Sequence, residues 1–398
     1  MLHLLFDFKF FLIFNLLVWV YLIFFHGRKI FSSEPYFWTN EVFFRSYPQL
    51  KNNNTEVIAV IIPARNEQHT IKQTLRSIIR QKGILKEIIL IDDNSIDLTV
   101  KNAKETFKKE KFAKYHIIKG RPLKKGWSGK VWALHQGTEY VRKKKKFKFF
   151  LFVDSDIVLK EKTISSLLLK IKRKKLLMIS LMAKLNCKST WEKLLIPSFI
   201  YFFQQIYPFN EVNKRNSKIS AAAGGCILCC SSLFQKTNLF AQIKNKVIDD
   251  CNLASIIKKK GPIWLGLTTN IKSSREYSNL NDLWKMVTRT AYEQLNNSIL
   301  LLIICILAML LIYLIAPFFI LIYFLNSSIS HQYLIISIIS TFLMYVSFLP
   351  TAKFYKISFL FFILFPISSL IYVLMTINSA LNFYFSSGNV WKNRKYKL

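Results

Sequence analysis

KEIILIDDNSIDLTVKNAKETF, residues 86–107, decides the fold. Ile88 to Ile91 form an unbroken apolar run, the pattern of a strand buried on both faces, and the run stops at the paired acids Asp92 and Asp93. A polar turn follows, and then a segment with apolar residues at helical spacing. VIAVIIPARNE (57–67) upstream is a second such strand, and TIKQTLRSIIR (70–80) has helical periodicity. Downstream, IIKG (117–120) is a short third strand and KFFLFVDSDIVL (148–159) a fourth, ending in acids. Repetition of strand and helix predicts an α/β domain with a mainly parallel sheet, whose ligands bind at the carboxyl ends of the strands.

The rest of the chain is of another kind. It has 398 residues, 57 Lys plus Arg against 22 Asp plus Glu for a net charge of +35, and 52% hydrophobic residues gathered in blocks. That distribution excludes a disordered basic protein and a simple soluble enzyme. Residues 4–25 are almost wholly apolar and are followed by HGRK with no small-residue cleavage site, which predicts a retained N-terminal transmembrane anchor. Near the other end, 298–325, 332–349 and 358–385 are three apolar blocks of about spanning length. The last is broken by Pro366 and is expected to be a hairpin or re-entrant segment. The expected organisation is an anchor over 1–28, a linker over 29–54, a cytosolic catalytic domain over 55–297, a membrane domain over 298–385 and a basic tail over 386–398. Within the catalytic domain, LLIPSFIYFFQQIYPF (194–209) reads as an interfacial helix beside an apolar substrate. Lysine-rich runs such as RKKKKFK (142–148) read as a face attracted to anionic lipid; with no recognised binding module, they do not make a nucleic-acid binder.

The chemistry-bearing residues sit at the strand ends. Asp154 and Asp156 form D-S-D, a spacing that lets two carboxylates meet one hard cation, Mg²⁺ or Mn²⁺, with a diphosphate filling the open positions. Asp92 and Asp93 are placed for a base or ribose, or to cap the following helix. In PARNE, which begins at Pro63, Arg65 suits a phosphate or a structural pairing and Glu67 a sugar hydroxyl. GWSGK supplies a flexible loop with Gly126, Gly129 and the point charge of Lys130 for a pyrophosphate. Asp249 and Asp250 open a helical stretch where a carboxylate can take a proton from an acceptor hydroxyl. AAAGGCILCC ahead of them offers small residues for a close backbone approach. Its Cys226 and Cys229 make one C-x-x-C without nearby histidines, which reads as packing rather than as a metal set. Arg289 is placed either to face a leaving diphosphate or to lie at a membrane surface.

The ordered set PARNE, IDDNS, GWSGK, VDSD, AAAGGC and IDDC resembles the family 2 inverting glycosyltransferases of the GT-A fold. PLKKGWSGKVWALHQG, IDDCNLA, GPIWLGLT and RTAYEQL are more closely similar to the hopene-associated glycosyltransferases, from about residue 57 to beyond residue 314. The resemblance implies a GT-A nucleotide-sugar domain carrying N- and C-terminal transmembrane helices. It implies a donor site that draws on Pro63, Arg65, Glu67, Asp92, Asp93, Gly129, Lys130, Asp154 and Arg289, with a divalent cation on Asp154 and Asp156. It makes Asp250 the general base and Asp249 its neighbour, although the family usually shows Glu then Asp there. The Gln-x-x-Arg-Trp motif of processive synthases is reduced to Arg289, which favours single transfer to a lipid over polymer extrusion. The implied partners are a UDP- or GDP-linked sugar and a membrane lipid acceptor, a hopanoid or other terpenoid, at the cytosolic face of the inner membrane. A carotenoid or polyprenyl-phosphate acceptor is the nearest alternative, and a membrane nucleotidyltransferase a more distant one.

Overall fold

The computed structural model describes residues 2–26, 57–325, 330–385, 389–391 and 394–396. The linker expected over 29–54 lies outside these residues, and so does most of the loop 326–331. The chain divides into two units. One gathers an α/β sheet from residues up to Asn186 and from Glu211–Glu276; the other gathers helices from the N-terminus, Cys187–Asn210 and Tyr277–Ser386. The catalytic domain expected over 55–297 is therefore interrupted, because 187–210 and 277–297 pack with the helices.

The α/β unit is built on the strands β1 (Val57–Ala64), β2 (Leu85–Asp92), β3 (Tyr115–Lys119), β4 (Phe147–Val153), β5 (Ile157–Leu159), β6 (Met178–Lys184), β7 (Cys226–Cys230) and β8 (Ile263–Ser273). They form one sheet in the order β3-β2-β1-β4-β7-β6-β8-β5. Pairing is parallel from β3 to β4 and between β6 and β8, and antiparallel where β7 joins β4 and β6 and where β5 joins β8. The sheet is thus mixed, which corrects the expectation of a mainly parallel one. The reason lies in β7, whose five residues enter between β4 and β6 and reverse the direction of pairing.

Both faces of β1 are buried, as its unbroken apolar run requires. Ile58, Val60, Ile62 and Ala64 share one core with Ile71, Leu75 and Ile78 of the helix Ile71–Ile79. Those helical positions recur at i, i+4 and i+7, one stripe of an amphipathic helix, and burying each such side chain contributes about 1.5–3 kcal/mol. The other face carries Ile61 and Ile91, against which the helix Gly129–Arg142 lies so closely that a Cβ on Gly137 would stand 2.5 Å from Ile91 Cδ1 and 2.8 Å from Ile61 Cγ2. Gly137 thereby sets the depth of the helix whose first turn holds Lys130.

Among the described residues, the helical unit contains two helices long and apolar enough to cross a membrane, His331–Tyr355 and Phe365–Phe385. The last apolar block is a short helix, Phe359–Ile363, followed by this second long one. The first block is the more broken: Ile299–Tyr313 and Ile315–Leu325 are separate helices, and the former meets the Leu280–Gln294 segment at a 119° bend. Asn296 (φ 52°) and Asn297 (φ 53°) make that bend in the left-handed region, which Asn tolerates better than most residues. At the N-terminus, Leu2–Phe24 is helical, and Lys9–Phe24 is apolar but shorter than a full crossing. A spanning anchor is therefore an expectation that the described residues do not establish. This helix is nonetheless tied into its unit. Asn15 Nδ2 donates to the carbonyls of Leu311 (2.6 Å) and Ile312 (3.1 Å), and Trp19 Nε1 to Ile312 at 3.1 Å. Those carbonyls lose their i+4 partners where the helix breaks, and burial in apolar surroundings would make them costly unpaired. Trp19, Tyr201, Tyr313, Met344, Phe348, Ala352 and Phe365 form the core of this unit.

Candidate active site

The acids read from the sequence gather at the carboxyl ends of β1, β2 and β4 in the α/β unit. Asp154 directly follows β4, and its backbone N–H donates to Gly225 O at 3.1 Å across the start of β7. Lys130, in the first turn of Gly129–Arg142, reaches Asp154 Oδ1 at 3.0 Å and Asp249 Oδ2 at 3.4 Å. Asp249 and Asp250 open the helix Asp249–Lys258. Asp250 accepts from the N–H of Gly224 at 2.7 Å and, through its other oxygen, from that of Cys251 at 2.8 Å. The Ala221–Gly225 loop is held in turn by Ser180, whose Oγ accepts from Ala223 N at 2.7 Å and donates to Ala223 O at 3.0 Å. Lys130, Asp154, Asp249 and Asp250 thus form one charged cluster fixed by three separate elements.

Its electrostatics follow from burial and neighbours. Burial, with the nearby charges of Asp156 and Asp249, raises the Asp154 carboxyl to about 6 against the pull of Lys130. Burial and then the Asp249 charge raise Asp250 to about 6 as well. For Lys130 burial works to lower the pKa, but Asp154, Asp249 and Asp250 outweigh it and hold the ammonium above its ordinary value. Carboxyls displaced toward neutrality by burial and by a neighbouring carboxylate are what proton transfer at working pH requires.

A second cluster lies beside the first. Asp156 Oδ2 accepts from Ser273 Oγ at 2.7 Å and faces Arg275 Nε at 3.4 Å, while an Arg275 terminal nitrogen reaches Glu67 Oε1 at 2.7 Å. Asp154 and Asp156 are therefore not turned onto one point: each meets its own cation. No motif in the sequence marks Arg275; its signal is only a basic residue just beyond the apolar run that becomes β8.

Pro63 lies within β1 in register with Ile91. Arg65 donates to the carbonyls of Asp93 (2.5 Å) and Asn94 (3.1 Å), bracing the acidic turn. Asp92 Oδ1 accepts from Ser95 N at 3.1 Å, and Asp93 is fully buried. At the start of the following helix it is Asp97, rather than Asp92 or Asp93, whose carboxylate accepts from the N–H of Thr99, and it accepts from that of Gln68 as well. Gly129 is buried at the head of its helix, preceded by Ser128, whose N–H donates to Lys244 O at 2.7 Å. Arg289 follows Leu280–Thr288 and belongs to the helical unit. Cys226 and Cys229 lie on buried β7, and burial followed by the Asp154 charge pushes the Cys226 thiol up to about 12, far from a reactive thiolate.

Among the described residues no three His, Cys, Asp or Glu side chains converge as a ready metal site. The donor set still has the right chemistry for a hard divalent cation, because Asp154 and Asp156 offer carboxylate oxygens two residues apart and a diphosphate can supply further ones.

Residues 59–237 match the model of Glycosyl transferase family 2. The chain is 31% identical over 109 residues to 4,4'-diaponeurosporenoate glycosyltransferase of Staphylococcus haemolyticus, covering 27% of this chain and 26% of the relative. It is 35% identical over 126 residues to the probable glycosyltransferase YdaM of Bacillus subtilis, covering 30% and 28%. The matched region thus spans little more than a quarter of either relative. Among solved structures it is similar to the mannosyltransferase PcManGT of Pyrobaculum calidifontis in complex with GDP-Man and Mn²⁺, with a TM-score of 0.49 and 10% identity over 94% of this chain and 99% of that one. The family match and the glycosyltransferase relatives support a family 2 glycosyltransferase assignment, and with the mixed sheet a GT-A-like α/β fold.

Proposed function

We propose that this protein is an inverting glycosyltransferase that moves a sugar from a UDP- or GDP-linked donor to the hydroxyl of a membrane lipid, a hopanoid or other terpenoid. The observation that carries the reading is the Lys130–Asp154–Asp249–Asp250 cluster at the end of β4, inside and just beyond the segment matched by the family model. Asp250, held by two backbone N–H groups and raised toward neutrality by burial, is the group to receive the acceptor's proton as its oxygen attacks the anomeric carbon. The bond from that carbon to the diphosphate oxygen breaks in the same displacement, so the anomeric centre inverts. Lys130 neutralises the departing diphosphate, a role for which a half-buried, permanently charged ammonium is suited. A Mg²⁺ or Mn²⁺ ion held by Asp154 and Asp156 would add Lewis-acid stabilisation of the same leaving group.

A lipid acceptor is supported by the two helices long enough to cross a membrane. The relative named 4,4'-diaponeurosporenoate glycosyltransferase favours a carotenoid as the second acceptor class. In this reading the protein is multi-pass in the cytoplasmic membrane, with the α/β unit in the cytosol and its lysines against anionic lipid.

The test is release of nucleoside diphosphate by detergent-purified protein supplied with a panel of nucleotide sugars, host lipid extract and Mg²⁺ or Mn²⁺. Lipid-dependent release that disappears in Asp154→Asn and Asp250→Asn is expected. Folded protein that neither releases nucleotide nor labels any lipid across the panel would overturn the assignment, and pyrophosphate release would move it to nucleotidyl transfer.

A further inference from the structure

The Arg275 side chain is placed by three polar contacts of its own loop. Asn186 Nδ2 donates to Arg275 O at 2.7 Å, the Arg275 N–H donates to Ser273 Oγ at 3.2 Å, and that hydroxyl donates to Asp156 Oδ2 at 2.7 Å. The guanidinium is delivered between Glu67 and Asp156, whose side chains are only 6% and 14% exposed. Lys130 stands in the same relation to Asp154 and Asp249. Both carboxylates of the D-S-D turn are thus neutralised by side chains of the chain itself.

We propose that Arg275 is a positioning residue that holds the Asp156 carboxylate against divalent cations in the donor-free protein and gives it up when a nucleoside diphosphate arrives. This rests on the donor-site reading above. A divalent ion approaching Asp156 meets a guanidinium 3.4 Å from the same oxygen, so like-charge repulsion opposes its entry. Arg pairs with phosphate in bidentate fashion, and its planar fork exchanges one oxyanion pair for another without deprotonation. Once the diphosphate takes the guanidinium, Asp156 is left with the Ser273 hydroxyl and is open to the cation. Cation and nucleotide therefore bind with positive coupling, and by linkage each raises the other's affinity by the same factor.

The experiment measures Mn²⁺ binding to the full chain in detergent by loss of the free-ion electron paramagnetic resonance signal, with Mn²⁺ alone and with saturating UDP or GDP. In the unaltered protein Mn²⁺ alone binds weakly, and nucleotide tightens it by about tenfold or more, within the usual range of coupling between sites. Arg275→Gln is expected to bind Mn²⁺ alone severalfold more tightly and to show a correspondingly smaller nucleotide effect. Arg275→Lys, which keeps a cation in place, stays weak, and adding Asp156→Asn to Arg275→Gln removes the gain. Should the glutamine variant fail to give a cooperative melt, Arg275→Ala gives the same comparison. An Arg275→Gln or Arg275→Ala protein that binds Mn²⁺ alone no more tightly than the unaltered protein overturns the proposal. That arm contains no nucleotide, so its outcome is separate from a failure of UDP and GDP to bind, which would count against the glycosyltransferase reading instead.

Discussion

Gly224 and Asp250 are joined by a 2.7 Å hydrogen bond from the glycine's N–H to Oδ2, and a Cβ at position 224 would stand 2.9 Å from Lys130 Nζ and 3.2 Å from that same oxygen. The atoms it would strike are the ends of two side chains of the charged cluster rather than backbone. Gly224→Ala should accordingly leave the fold standing, with a stability change within about 1 kcal/mol, while displacing Lys130 and Asp250 enough to lower activity by about 10²-fold. Thermal melting and steady-state transfer on the same preparation check this; an active alanine variant would remove the close approach from the argument.

Acid should silence the protein before it unfolds. Burial, then the Asp249 charge, raises Asp250 to about 6, so below that pH the proposed base carries a proton and cannot accept another. The expected kcat/KM is level above about 7 and drops about tenfold per pH unit well below 6. Asp154, raised to about 6 mainly by burial, titrates in the same window and steepens the fall. A profile that remains flat down to pH 5 would exclude Asp250 as the base.

The same shift has an opposite effect on stability. A carboxyl whose pKa is raised by folding binds more protons in the folded state between its ordinary value of 3.8 and about 6, so stability falls as pH rises through that window. Asp154→Asn keeps the shape and removes the charge that burial disfavours. At pH 7 it should melt at the same temperature or higher than the unaltered protein, yet lose nucleotide binding, as a residue retained for function at the expense of stability does.

Lys258 supports the helix carrying Asp249 and Asp250 from its far end. Its ammonium donates to the carbonyls of Val212 (2.7 Å), Ile219 (2.6 Å) and Glu211 (3.3 Å), fastening the segment that leads to the Ala221–Gly225 loop. Lys258→Met should destabilise by about 1–3 kcal/mol by leaving partly buried carbonyls unpaired. Chemical denaturation measures it; an unchanged midpoint would mean that water replaces the ammonium without loss.

Half of the sheet is legible in the sequence and half is not. β1, β2 and β4 announce themselves because each is a continuous apolar run, and the acids that close β2 and β4 are among those that gather at the strand ends. The antiparallel insertion is hidden. Cys226–Cys230 has no alternation and no terminal charge, and nothing local states that it will lie between β4 and β6 rather than form a packed turn. In the same way, Lys130 reads as a phosphate ligand from its glycine-rich loop, but its pairing with Asp154 and Asp249 is a matter of tertiary placement. Arg275 meets Glu67 across 208 residues of chain, a distance over which no spacing rule speaks. Arg65 reads either as a phosphate ligand or as a structural partner, and its bonds to the carbonyls of Asp93 and Asn94 follow from tertiary placement that no local pattern states.

Asn15 and Trp19 bind carbonyls that lie 296 and 293 residues later in the chain. On the ribosome, the first helix therefore emerges long before the groups it serves exist. The sheet residues are made in that interval and can complete their own pairing while the first helix waits. Assembly of the helical unit is consequently a closing event that joins a segment to one made almost three hundred residues later, and a chain halted before Leu311 would carry the sheet residues but an open bundle.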